Sequence, residues 1–202
     1  MSARMPSKSA RDKGVPMAQD IHVFGFAGSL REQSFNRGIL RAASELLPPN
    51  TTMETFLLDG IPVFNQDKEN TPPEIVKEFK TKIKAADAIL IASPEYNYSI
   101  PGVLKNAIDW ASRPRGDNSF EGKPVAIMSA SIGMLGGARA QYHLRQVFVF
   151  LNVQTVNRPE VMVPFAQDKF KDGILIDETS RKKIAELVTA LVTLTRSLKS
   201  IR

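Results

Sequence analysis

The sequence predicts an α/β fold, a three-layer doubly wound parallel five-stranded sheet with strand order 2-1-3-4-5. Three observations carry this prediction. Apolar runs of strand length alternate along the chain with stretches whose apolar residues recur at helical spacing. The first and third runs, Ile21–Ala27 (IHVFGFA) and Ala88–Ala92 (AILIA), are continuous rather than alternating, as strands buried on both faces are. Helices between successive strands impose right-handed crossovers and hence parallel pairing. In this order the winding reverses between the first and third strands, and a ligand site is expected beyond their carboxyl ends.

Each element has its own signal. After the first strand, Ile39, Leu40, Ala43, Leu46 and Leu47 mark a helix that Pro48-Pro49 stops. Residues 53–58 alternate weakly and read as the second strand. Thr71-Pro72-Pro73-Glu74 reads as a capping box opening the second helix, whose buried stripe is Ile75, Phe79 and Ile83. Residues 103–111 give the third helix, 125–130 the fourth strand, 138–151 the fourth helix and 153–163 the fifth strand. The last helix runs over 178–198, with Ile184, Leu187, Val188, Leu191 and Leu194 on one face.

The 202 residues predict one domain, residues 20–202, after a disordered tail over 1–19. That tail carries Arg4, Lys8, Arg11 and Lys13 against Asp12, half of the formal net charge of +6. Its Ser and Arg content also admits a transit-peptide reading, and Met17 an alternative start. The remaining positive charge is scattered, with no basic helix or interleaved aromatics, so no nucleic-acid partner is expected. No apolar run approaches membrane length and no signal h-region opens the chain, so no membrane partner and a cytoplasmic location are expected. Cysteine is absent, which excludes disulfides and thiolate chemistry and leaves any redox function to a bound cofactor. His22 and His143 lie far apart, without a metal-ligand pattern.

Two loops fall at the expected crevice. After the first strand, Gly28-Ser29-Leu30-Arg31-Glu32-Gln33-Ser34-Phe35-Asn36 feeds directly into a helix N-terminus. Unpaired amides and the helix dipole suit a phosphate there, with Ser29, Ser34 and Asn36 as donors and Arg31 as full charge. The competing reading is that Ser34 or Asn36 merely caps the helix. After the third strand, Ser93-Pro94-Glu95-Tyr96-Asn97-Tyr98-Ser99-Ile100-Pro101-Gly102 is stiffened by two prolines. It can present amides to a planar heterocycle with Tyr96 or Tyr98 against the ring, or it is a rigid turn with Ser99 capping the helix that follows. A third segment, residues 129–137, is glycine-rich; its backbone can approach a ligand, or it is an ordinary turn. No G-x-x-x-x-G-K-[ST], strand-linked G-x-G-x-x-G or G-x-S-x-G occurs, and the first strand lacks the acidic end of a phosphoryl receiver.

Gly28-Ser29-Leu30-Arg31 through Ser34 and Asn36, together with Ser93-Pro94-Glu95-Tyr96-Asn97 and the run Pro101 to Trp110, resembles the NAD(P)H-dependent FMN reductase family, which includes quinone, azo-dye and chromate reductases of the flavodoxin-like superfamily. The resemblance spans residues 21–165. It implies that Ser29, Arg31, Ser34 and Asn36 bind the FMN phosphate, that Pro94, Glu95, Tyr96 and Asn97 line the flavin, and that Ser129 and Gly133 close the site. It further implies NAD(P)H as co-substrate, hydride delivery to flavin N5, and a small-molecule electron acceptor (quinone, azo compound, chromate or free flavin) that replaces the nicotinamide, giving ping-pong kinetics. Because the flavin carries that chemistry, no protein acid or base is needed and no catalytic residue is named. Arg113 and Arg115 either meet dinucleotide phosphates or are simply solvated. A flavodoxin-type electron carrier is the alternative, opposed by the basic charge and the arginine in the phosphate loop; a flavin-sensing module without turnover is a third reading. The apolar run from Val147 to Leu151 is either deeply buried or covered by another copy in a homodimer or homotetramer.

Overall fold

The computed structural model describes residues 20–201. The expected tail over 1–19 lies outside the described residues. Along the chain come β1 (Ile21–Ala27), α1 (Phe35–Glu45), β2 (Thr51–Phe56), α2 (Glu74–Ala85), β3 (Ala88–Ala92), α3 (Gly102–Ala111), β4 (Pro124–Ala130), α4 (Ala138–Phe150), β5 (Gln154–Thr155), β6 (Val161–Val163), β7 (Phe170–Lys171), β8 (Ile174–Leu175) and α5 (Glu178–Ile201). The main sheet is parallel in the order β2-β1-β3-β4-β5, as the sequence predicts.

The continuous apolar strands feed two cores. Ile21, Val23, Leu90 and Met128 pack beneath α1 and α5. Phe24, Phe26, Ile89, Ile91 and Ile127 pack beneath α2, α3 and α4. In the second core Phe24, Phe26 and Phe56 surround Phe79 at ring distances of 5.9, 5.2 and 5.3 Å.

Three expectations are corrected. The fifth strand is two short pieces, β5 and β6, both paired with β4. Between them lies Pro159, which has no N–H to give a ladder. The second strand lies two residues earlier than expected, so Leu58 is a buried residue beyond the strand end. The capping box does not form. Pro73 occupies the N-cap of α2 without a side-chain bond, and its carbonyl accepts from Val76 and Lys77. α3 likewise starts behind Pro101 rather than a Ser99 cap.

The β7–β8 hairpin rests on α1. Phe35 and Phe170 rings lie 5.0 Å apart, Arg41 donates to the Gly173 carbonyl at 2.7 Å, and a Cβ on Gly38 would come within 2.4 Å of the Phe170 ring. The residue that opens the first turn of α1 is thus fixed from outside as well as by its cap. At the amino ends of β3 and β4, beyond the end of α3, Lys80 and Lys84 converge on Asp117.

Hydrogen bonds from Lys80 and then Lys84 hold the Asp117 carboxyl below its ordinary range, so its folded pKa lies below the unfolded one. Its contribution is complete above the ordinary carboxylate pKa and is lost as pH falls through the lowered value. Asp117→Asn is therefore expected to lower the melting temperature at pH 7, with the gap to wild type narrowing in thermal melts as the pH falls below the ordinary carboxylate range.

Candidate functional site

The loops that leave β1, β3 and β4 meet at the carboxyl end of the sheet. Ser29, Arg31, Asn36, Pro94, Tyr96 and Ser131 line a crevice of about 260 Å³ there. A groove of about 790 Å³ runs between Thr155–Arg158, at the end of the edge strand β5, and α5, away from the loops after β1 and β3. Volume alone does not mark the site; convergence of polar groups does.

The β1 loop is built to leave backbone donors unspent. Gly28 packs so closely on Leu104 that a Cβ would sit 3.0 Å from that side chain. The Ser34 hydroxyl caps α1, accepting from the Asn36 N–H at 3.2 Å, and the Ser34 N–H donates to the Arg31 carbonyl at 3.1 Å. Arg31 closes its own loop through a 2.7 Å bond to the Gln33 carbonyl, and its N–H approaches the Ser29 hydroxyl at 3.4 Å. The N–H groups of Leu30, Glu32 and Gln33 have no acceptor among the described residues. The N–H groups of Ser29 and Phe35, whose residues line the crevice, likewise have no acceptor among the described residues, and with these amides and Arg31 the positive end of the helix forms an anion cradle. The cap reading of Ser34 and the phosphate reading of the loop are therefore compatible.

Asn36 has a different task from donating outward. Its side-chain amide donates to the Ala130 carbonyl and accepts from the Ala130 N–H, each at 2.9 Å, and it is 3% exposed. It ties the start of α1 to the last residue of β4, across 94 positions of sequence.

The β3 loop ends in a tight two-residue turn. Tyr96 and Ser99 exchange both backbone bonds, at 3.1 and 3.0 Å, around Asn97 and Tyr98 with φ of 50° and 66°. A positive φ is tolerable for asparagine and strained for tyrosine. Tyr96 stands half exposed in the crevice wall, whereas Asn97 does not line it. Glu95 lines the crevice, with its carboxylate held by the helix behind. Its carboxylate accepts from the Arg139 and Ala140 N–H groups at 3.0 and 3.3 Å and pairs with the Arg139 guanidinium. That guanidinium lies 3.5 Å over the Tyr98 ring, a cation–π contact, and the Glu95 bond holds it still more firmly charged. Glu95 thus supplies the N-terminal acceptor that α4, headed by Gly137, lacks.

Ser129 is fully buried. Its hydroxyl donates to the Gly136 carbonyl at 2.6 Å and accepts from Gln141 at 2.7 Å, so it shapes the third loop rather than lining the crevice. Gly133 is exposed and outside the crevice wall; Ala130, Ser131 and Ile132 take its place. Arg113 and Arg115 are exposed at the opposite, amino end of the strands, to which the ten residues of α3 have carried the chain. Sequence reasoning missed Arg139, Gln141, Phe35 and Arg37. For Arg139 a signal existed: a cation in the first turn of a helix opposes the dipole and calls for a compensating carboxylate. In the long second motif, Asn106 and Trp110 hold the loop after β2, bonding Phe64 and Pro62 at 2.7 to 2.9 Å.

A family model described as NADPH-dependent FMN reductase matches residues 21–168. The chain is similar to an NAD(P)H-dependent FMN reductase of Pseudomonas aeruginosa, 49% identical over 185 residues, 91% of this chain and 100% of that one. It is 46% identical over 187 residues to an NAD(P)H:quinone oxidoreductase of Solanum tuberosum, covering 89% of this chain and 95% of the relative. Among solved structures, FerB, a flavoenzyme NAD(P)H:(acceptor) oxidoreductase from Paracoccus denitrificans, superposes with a TM-score of 0.80 at 32% identity, over 88% of this chain and 98% of that one.

Gly137 and Gly133 separate packing from mere proximity. Gly137 has φ of 91° and a Cβ there would lie 2.8 Å from Ser129 Cβ, whereas at Gly133 the nearest atom is 3.7 Å away. Gly137→Ala is expected to cost about 3 kcal/mol in denaturant unfolding, and Gly133→Ala to stay within about 0.5 kcal/mol of wild type.

Proposed function

Because the chain belongs to the NADPH-dependent FMN reductase family, we propose that the crevice between the β1 and β3 loops is where FMN sits and where NAD(P)H and a quinone act in turn. The protein is an NAD(P)H-dependent flavin oxidoreductase, and its relatives name quinones as acceptors. The observation that carries the assignment is the set of unpartnered amides in the β1 loop and at the start of α1, two of which belong to the crevice-lining residues Ser29 and Phe35, beside Arg31. A dianion meets there what it requires, and a neutral ligand does not need it.

When bound, FMN supplies the chemistry, accepting hydride from NAD(P)H and passing reducing equivalents to the acceptor. The chain positions and polarises. Ser29, Arg31 and these amides hold the phosphate. Ser34 and Asn36 serve it from behind, one by capping α1 and the other by fixing that helix to β4. Pro94 and Tyr96 form the wall for the flat ring, with Tyr96 presenting an aromatic edge. Glu95 and Arg139 keep the turn at Asn97 and Tyr98 in register, so its backbone donors are preorganised where negative charge develops on reduction. Ser129 and Gly136 close the third side through Ala130 and Ser131. No side chain is assigned proton transfer.

The outer face of α4 bears on assembly. Leu144 and Phe148 are buried, while Val149 and Phe150 are 82% and 86% exposed. Their exposure supports self-association through this face. Among the described residues no helix is long and apolar enough to cross a membrane.

Purified protein is expected to be yellow, to bleach on anaerobic NADPH addition and to turn over with a quinone; a stable semiquinone without NADPH turnover would mark an electron carrier instead. Arg31→Ala should weaken FMN binding about tenfold or more in fluorescence titrations of flavin-free protein. By light scattering, wild type should show two or four times the chain mass of 22.3 kDa, and Val149→Glu with Phe150→Glu should reduce it to the monomer.

A further inference from the structure

Arg37 stands behind the β1 loop and reaches through to it. Its Nε donates to the Ser29 carbonyl at 3.0 Å, and its Nη2 pairs with the Asp59 carboxylate at 2.9 Å. The side chain is 15% exposed and faces a second, separate hollow that it shares with Thr55 and Leu58. It does not line the crevice; Ser29 does. The loop is thus gripped on one side by Arg37 and open on the other.

We infer that Arg37 is a positioning residue for the phosphate cradle: by holding the Ser29 carbonyl toward Asp59, it turns the Leu30 N–H toward the crevice. The peptide joining Ser29 to Leu30 is planar and trans, so its C=O and N–H point in opposite directions. Fixing the carbonyl on the Arg37 side fixes the amide on the other. That amide has no acceptor among the described residues. Without the brace the peptide can rotate, and a carbonyl oxygen facing the crevice would repel the phosphate that the amide attracts. The guanidinium also places a full positive charge one loop-thickness away. Asp59 matters less, because Arg37 keeps its bond to Ser29 when the acid is lost.

This inference rests on FMN occupying the crevice, and the test separates the two. Flavin-free full-length protein is titrated with FMN and with riboflavin, which lacks the phosphate, by quenching of flavin fluorescence. Wild type is expected to bind FMN much more tightly than riboflavin; equal affinity would overturn both the placement of the phosphate and the brace. Arg37→Met should raise the FMN dissociation constant about tenfold or more with riboflavin affinity unchanged, Arg37→Lys should recover part of the loss, and Asp59→Asn should lie near wild type. If wild type prefers FMN and Arg37→Met keeps that preference, the brace is refuted and the site stands. An equal loss of both flavins would show a general structural role and also refute it. Should Arg37→Met fail to fold, judged by circular dichroism, Arg37→Lys alone decides: unchanged discrimination between the flavins refutes the brace, and selective loss for FMN supports it.

Discussion

The two-way bond between the Asn36 side chain and the Ala130 backbone is the constraint from which the crevice takes its shape. Both partners are buried, Asn36 3% and Ala130 2% exposed, so breaking the pair would leave four polar groups without their partners. The bond therefore holds the first turn of α1 against the end of β4, and the β1 loop and the third loop become opposite walls of one cleft. Everything nearer the ligand is built on that span. Gly28 lets β1 close on Leu104, Ser34 caps the helix, and the loop between them has only its backbone donors left to offer.

The same economy recurs at the β3 loop. Arg139 in the first turn of α4 opposes the helix dipole, and Glu95 answers both the guanidinium and the helix amides. The pair fastens α4 to the turn that carries Tyr98 in a strained left-handed conformation. Strain of this kind persists only where surroundings overdetermine it. Side chains that a motif reading assigns to the ligand are here occupied in holding the backbone that faces it.

That division explains what was legible in the sequence. Sheet order and the flanking helices follow from apolar periodicity, which burial on both faces enforces for residues such as Phe24 and Ile89. The position of the crevice follows from topology, and the loops from their place after β1 and β3. What periodicity cannot show is the partner of a polar side chain 94 or 44 residues away, so the bonds of Asn36 to Ala130 and of Glu95 to Arg139 were out of reach. The resemblance implies that Ser129 closes the site, but a serine at the end of a strand looks the same in sequence whether it bonds a ligand or, as here, a neighbouring loop. The split of the last strand was foreshadowed by Pro159, and the second helix began at Glu74 because two prolines precede it.

Three of the unpartnered donors in the β1 loop belong to Leu30, Glu32 and Gln33, all of them exposed residues. A peptide N–H is the same atom pair whatever residue bears it, proline excepted. Natural or laboratory variants can therefore exchange these three letters widely, recolouring the rim of the cleft in charge and bulk, while the grip beneath stays chemically unaltered. Tuning which molecules approach and preserving what is already held become separable problems, written in different atoms of the same residues.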